Sequence, residues 1–169
     1  AKSMPVVGIT GTNGKTTVSW MLESILNEAG QSCGVIGTTG HRVAGTSISA
    51  KHTTPESPVI QALLAQMRDA GCSSGIMEVS SIGISMDRVH ALPFRVAVFT
   101  SFSRDHLDFH GDMENYFRAK ADLFERLIDT EGTAILNADE VACHRIQPAC
   151  TQTWLYGFEA GVDFHADAL

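Results

Sequence analysis

Polar residues with chemical potential recur along this chain at the ends of apolar runs: Lys15-Thr16, Glu78, Asp105-His106 and Lys120. Lys15 and Thr16 belong to the stretch GITGTNGKTT, Gly8 to Thr17, which follows the apolar run Val6-Val7-Gly8-Ile9 and leads into a periodic helix. A strand, a glycine-rich turn and a helix start, in that order, make a cradle for a polyphosphate. Gly11 and Gly14 let the backbone come close to a polyphosphate, while the free N–H groups at the helix start and the helix dipole attract the anion. Lys15 supplies a point charge for the outer phosphates, and the Thr16 hydroxyl is placed to ligate Mg²⁺. The common Walker pattern needs a glycine where this chain has Ile9, so the loop is the shorter GxxGK[T] form.

Glu78 ends an otherwise apolar run, and a carboxylate on a neighbouring strand is a usual second holder of Mg²⁺; capping of the next turn is the plain alternative. Arg104-Asp105-His106, with Asp108 and His110, forms a dense polar patch in which His106 and a carboxylate suit a metal, or simply meet solvent. Lys120 carries the most information. Met113, Tyr116, Phe117, Phe124 and Leu127 form the apolar stripe of a helix, and position 120 lies on that stripe, at i+3 from Phe117. A buried ammonium is costly and loses basicity, and a neutral amine reacts with CO₂ to give an anionic carbamate, a metal ligand. The alternative is a lysine that snorkels to water. Thr53 and Thr54 precede Pro55, which extends the backbone, so their hydroxyls suit a carboxylate or phosphate or simply lead into a helix.

These residues need elements to position them. Val6 to Thr10, Cys33 to Gly37, Gly75 to Val79, Arg95 to Thr100, Thr133 to Leu136 and Thr153 to Tyr156 read as strands. Between them, Val18, Met21, Leu22, Ile25, Leu26 and Ala29 repeat at 3.6 residues up to Gly30. Ile60, Leu63, Leu64 and Met67 do so from an N-cap at Ser57 to Gly71, and a third helix runs from about Met113 to Leu127. His41 to Ala50 reads as a hairpin or excursion outside the core, and a weaker helix follows Asp139. The class is α/β, a mostly parallel sheet with flanking helices, whose ligands gather at the carboxyl ends of the strands. That rule brings the loop, Glu78, His106 and Asn137 to one rim.

With 169 residues and 44% hydrophobic content, the chain holds one domain with a real core, and a net charge of -7 excludes a basic field for nucleic acid. No apolar run approaches a membrane span. Cys33, Cys72, Cys143 and Cys150 lack a CxxC pair; with no signal peptide they read as free thiols of a reducing cytosol. The chain starts almost on a strand and stops at Val162-Asp163-Phe164-His165, an unfinished strand, so we expect a fragment of a longer enzyme.

In this order, GTNGKTT, TTPE, MEVSS, SRDHLDFHG, AKADLF and LNADE resemble the Mur ligases of peptidoglycan synthesis, over Val6 to about Gly157. The wording is nearest to the members that add the third stem residue to UDP-N-acetylmuramoyl-L-alanyl-D-glutamate. The resemblance implies a P-loop NTPase-like central domain, truncated here, with residues 1–169 the ATP-binding, catalytic part and the N-terminal UDP-binding and C-terminal domains absent. It implies ATP on Gly11 to Thr17, with Asn137 and Asp139 toward the adenine. One Mg²⁺ would lie on Thr16 and Glu78, and a second on His106 and a carbamylated Lys120. Thr53, Thr54, Ser80 and Arg88 would contact the muramoyl dipeptide. An incoming amino acid, diaminopimelate or lysine, would be joined through an acyl phosphate by a monomer in the bacterial cytoplasm, without nucleic acid or membrane; the fragment by itself would be inactive. Ile82-Gly83-Ile84 departs from the family's His-Ala-Leu, so position 82 is assigned nothing. A non-catalytic ATP-binding module and a folylpolyglutamate synthase-like ligase are the other readings.

Overall fold

The computed structural model describes residues 4–127, 131–146 and 152–167; Cys150 lies outside them. Nine strands make one sheet: β1 (Val6–Thr10), β2 (Cys33–Gly37), β3 (Gly40–Val43), β4 (Thr46–Ile48), β5 (Ser74–Glu78), β6 (Phe94–Phe99), β7 (Thr133–Asn137), β8 (Gln152–Gly157) and β9 (Phe164–His165). Their order is β4-β3-β2-β5-β1-β6-β7-β8-β9. All pairings are parallel except β2–β3 and β3–β4. β1 sits between β5 and β6, so the chain leaves it first toward one edge and later toward the other. The crevice beyond its carboxyl end is therefore the switch point at which such sheets bind ligands.

Among the described residues five α-helices flank the sheet: α1 (Lys15–Glu28), α2 (Ser57–Asp69), α3 (Ser81–Ser85), α4 (Leu107–His110) and α5 (Met113–Glu125), with a 3₁₀ turn at Val141–Arg145 where the weaker helix was expected. On one face Val18, Leu22 and Leu26 of α1 pack over Ile9, Val35, Ile76 and Val98. On the other a larger cluster joins Ile60, Leu63 and Met67 of α2, Ile84 of α3 and Phe117 and Phe124 of α5 to Ile36, Met77, Phe94 and Phe99. The central strands are covered on both sides, which is why they read as apolar runs rather than alternations.

Three local expectations are corrected. The helix after the loop buries only part of its apolar arc: Met21 and Ile25 are 60% and 64% exposed, while Ser19 and Glu23 are its buried residues. An apolar period reports an arc, and this arc is wider than the face the sheet covers. Glu56, in extended backbone, caps α2, so Ser57 is already helical and Pro58 follows it into the first turn. The β3–β4 hairpin is indeed a hairpin, but β3 is buried along its length, because it lies between β2 and the edge strand β4 and its Arg42 is enclosed by Glu23 and Trp20.

Candidate nucleotide and metal site

The loop from Gly11 to Gly14 is held from beneath by the end of β6. Thr12 N–H donates to Ser101 O at 2.8 Å and Asn13 N–H to Ser101 Oγ at 2.9 Å. Thr100 Oγ1 donates to Asn13 O at 2.6 Å. Gly14, in the left-handed region, precedes α1, whose first turn has no side-chain cap and no acidic residue. The helix N-terminus thus keeps its free N–H groups and positive end for an anion. Lys15 Nζ curls back onto the carbonyls of Gly11 and Thr12, at 2.7 and 2.9 Å. Burial holds its ammonium below the usual lysine range, with Glu78 and Asp105 pulling the other way.

Gly11 is obligatory for two separate reasons. Its φ of 144° is outside the ordinary range of L side chains, and a Cβ there would stand 2.0 Å from Thr100 Oγ1 and 2.9 Å from Ser101 N. Gly11→Ala is expected to cost roughly 2–4 kcal/mol of stability through strain and overpacking. Urea denaturation monitored by circular dichroism measures it; a loss under 1 kcal/mol would contradict the close packing of loop on β6.

Glu78 is 1% exposed, at the end of β5. Its Oε2 accepts from Thr16 Oγ1 at 2.9 Å and Thr38 Oγ1 at 2.8 Å, and its Oε1 from Thr38 N–H at 3.2 Å. A Cβ at Gly37 would meet Oε1 at 2.2 Å, so the backbone after β2 is shaped to this carboxylate. Thr38 was not singled out by the sequence; the only signal for it is its place directly after the β2 run, at the same rim. A hydroxyl and a carboxylate, both hard oxygen donors beside a phosphate loop, fit Mg²⁺, which keeps waters and takes phosphate oxygens to complete its shell.

Lys120 is 1% exposed, and its Nζ donates to Gly11 O at 3.0 Å and lies 4.5 Å from the Tyr116 ring centroid. Burial, with Lys15 adding repulsion and Asp105 opposing, pushes its pKa down to about 7. The helical stripe that carries it also brings Tyr116, whose hydroxyl shares a 3.1 Å hydrogen bond with Thr12 Oγ1. His106 begins α4 in the left-handed region at φ 51°, its side chain 43% exposed and its Nε2 3.4 Å from Asp105 Oδ2. Among the described residues no group of three or more His, Cys, Asp and Glu is gathered closely enough to hold a metal by itself. His110, unassigned before, shares a 3.0 Å hydrogen bond with the buried Ser81 Oγ and packs on Tyr116. Burial, Lys120 and His106 hold its imidazole below the usual range, against Asp108.

The remaining candidates have protein partners. Thr54 Oγ1 donates to Glu78 O at 2.9 Å and accepts from Ser80 N–H at 2.9 Å, while Thr53 Oγ1 meets Thr38 Oγ1 at 2.9 Å. Ser80 Oγ caps α3 by accepting from Gly83 N–H at 3.1 Å. A Cβ at position 83 would stand 2.5 Å from Thr54 Cγ2, so the glycine of the departing Ile82-Gly83-Ile84 lets α3 sit on Thr54. Arg88 donates to Thr54 O at 3.0 Å and pairs with Glu56 at 2.5 Å. Asn137 Nδ2 donates to Thr100 O at 2.8 Å, and Asp139 accepts from Phe158 N–H at 3.0 Å. Asn137 therefore braces the end of β6 under the phosphate cradle, and Asp139 the turn after β8.

A parallel sheet with a short phosphate loop at its switch point and a buried acid on the next strand defines a nucleotide-binding α/β domain of the P-loop kind. The family model described as Mur ligase middle domain matches residues 9–169, and the chain belongs to that family. A relative from Gloeobacter violaceus, named UDP-N-acetylmuramoyl-L-alanyl-D-glutamate--2,6-diaminopimelate ligase, is 46% identical over 167 residues, covering 99% of this chain and 34% of its own. A solved structure bearing that ligase name superposes with a TM-score of 0.85 at 30% identity, over 98% of this chain and 35% of the other. E. coli FolC in complex with DHPP and ADP superposes with a TM-score of 0.65 at 26% identity, over 90% and 42%. The chain spans about a third of the length of the curated relatives it matches. Among the described residues no helix is long and apolar enough to cross a membrane.

Proposed function

We propose that this chain is the ATP-binding, catalytic middle portion of a ligase that adds an amino acid, diaminopimelate in the first instance, to UDP-N-acetylmuramoyl-L-alanyl-D-glutamate. The observation that carries the reading is the pairing of Thr16 with Glu78 at 2.9 Å on one side of the loop and the enclosed Lys120, 3.0 Å from Gly11 O, on the other. Mere nucleotide binding has no use for a second, desolvated amine beside the cradle. The names of the relatives support the acceptor and the amino acid.

In this reading the loop amides and Lys15 hold and orient the ATP phosphates, and Lys15 leaves the Gly11 and Thr12 carbonyls to do so. Thr16 and Glu78 would hold Mg²⁺, and His106 with a carbamylated Lys120 a second; the ions supply charge neutralisation between two anions. Thr53, Ser80 and Arg88 would face the dipeptide's terminal carboxylate, with Arg88 turning from Glu56, while Thr54, its hydroxyl proton given to Glu78 O, would hold Ser80 in place. Carboxylate attack gives an acyl phosphate and ADP; the incoming amine then displaces phosphate through a tetrahedral intermediate. Positioning does most of the work. Asn137 and Asp139 border the adenine side.

Calorimetric titration of the chain with a non-hydrolysable ATP analogue is expected to show one site whose affinity rises at least tenfold with Mg²⁺. In the full-length protein, phosphate release is expected to require the UDP-muramoyl dipeptide together with diaminopimelate. Release driven instead by a folate and glutamate would move the protein to the folylpolyglutamate branch, and binding without any turnover would leave a nucleotide module.

A further inference from the structure

One buried ion pair takes no part in this chemistry. Arg42 of β3 and Glu23 of α1 are each 8% exposed. Arg42 Nε donates to both Glu23 oxygens at 2.9 and 2.8 Å, and Nη2 lies 2.7 Å from Oε2. The guanidinium is stacked 3.9 Å from the Trp20 ring centroid, and Trp20 Nε1 donates to Thr39 Oγ1 at 3.3 Å, on the turn between β2 and β3. Thr16, Trp20 and Glu23 fall at i, i+4 and i+7, one stripe of α1. The stripe is therefore tied to the Thr38–Thr39 turn at its middle, and it begins at the loop.

Both ends of this tie bear on Glu78. Thr16 reaches it from α1 at 2.9 Å, and Thr38, next to Thr39, reaches it with its hydroxyl at 2.8 Å and its N–H at 3.2 Å. A buried ion pair adds little stability over apolar packing of the same volume. What a ring-stacked guanidinium whose Nε spans both oxygens of a buried carboxylate does supply is fixed direction and register. We propose that Trp20, Glu23 and Arg42 form a positioning clamp that sets the span between Thr16 and Thr38, and with it the geometry of the cation site at Glu78. The inference rests on the reading of Thr16 and Glu78 as cation ligands.

The test uses two variants of the chain: the apolar double substitution Glu23→Leu with Arg42→Met, and Arg42→Lys, which keeps the charge without the planar, ring-stacked guanidinium and serves if the first fails to fold. The readouts are the ratio of ATP-analogue affinity with and without Mg²⁺, and amide hydrogen exchange at Thr38 in the ligand-free chain. The clamp predicts a ratio lowered about tenfold, metal-free affinity within twofold of the parent, and Thr38 exchange accelerated at least tenfold while β1 amides keep their rates. A folded variant with an unchanged ratio overturns the clamp. So does acceleration shared equally by β1, which would mark a merely structural pair. If the parent itself shows no Mg²⁺ increment, the cation reading fails, and the exchange pattern alone then decides whether the clamp holds Thr38.

Discussion

Replacing Lys120 by methionine is expected to make the fold more stable and the site inert. Burial, and Lys15 after it, bring the folded pKa to about 7, whereas the unfolded lysine keeps its proton to about 10.4. Below pH 7 both states are protonated and the penalty of enclosing the ammonium is fully present. Between roughly pH 7 and 10 the unfolded state binds more protons than the folded one, so stability rises with pH across that window. A gap of about three units caps the penalty at roughly 4 kcal/mol, and the bond to Gly11 O and the Tyr116 ring return part of it. Lys120→Met, close in volume, should therefore be about 2–3 kcal/mol more stable near pH 6.5 and should lose the rise toward pH 9. Urea denaturation of both chains at pH 6.5, 7.5 and 9 measures this. Parallel curves would mean that the amine is better solvated than its 1% exposure implies. In the full-length enzyme the variant is expected to lose at least about 10²-fold in turnover, the scale of one lost electrostatic stabiliser. For Lys120→Ala, bicarbonate or a short carboxylate should restore part of it. Full activity without additive would remove the carbamate from the mechanism.

Why this lysine was legible in the sequence and other parts were not has a physical answer. A charged residue on an apolar stripe contradicts its local pattern, and such contradictions concentrate at functional sites. The central strands were equally plain, since β1, β2 and β5 to β8 are short apolar runs with turn residues on both sides. Met21 and Ile25 misled because periodicity gives the direction of an apolar arc, not the width of what covers it. β3 misled for the opposite reason: Arg42 looks like solvent, yet Glu23 and Trp20, some twenty residues earlier in the chain, make its burial possible. Thr38 was invisible, and His110 stood out only as one member of a polar patch, because their significance lies in partners, Glu78 and Ser81, distant in sequence. Single residue types such as threonine and histidine carry no such contradiction of their own.

Glu78→Gln separates the roles of charge and shape at the proposed cation site. Gln keeps the volume under the Gly37 backbone, and the Thr16 and Thr38 hydroxyls can each turn to accept from its amide, so the expected cost in stability is only about 1 kcal/mol. The charge does not survive. The Mg²⁺-dependent gain in ATP-analogue affinity is expected to fall about 100-fold, roughly 2.7 kcal/mol, because a neutral amide oxygen replaces the carboxylate proposed as the cation's ligand beside Thr16. A second effect follows through Lys15. Burial already lowers that ammonium, and Glu78 is the main group holding it up, with Asp105 after it. Removing the Glu78 charge lowers Lys15 further, so its proton is lost at a lower pH than in the parent. Metal-free nucleotide affinity should consequently begin to weaken at a lower pH in the variant, while both chains bind alike under more acidic conditions, where Lys15 is charged in each. Titrations in EDTA across a pH series carried up to the usual lysine range, repeated with Mg²⁺, give both quantities from one set of samples. An unchanged Mg²⁺ gain would place the cation away from Glu78. A lowered gain with an unmoved alkaline limb would show that Lys15 takes its support from Asp105 and the phosphates rather than from the acid across the loop.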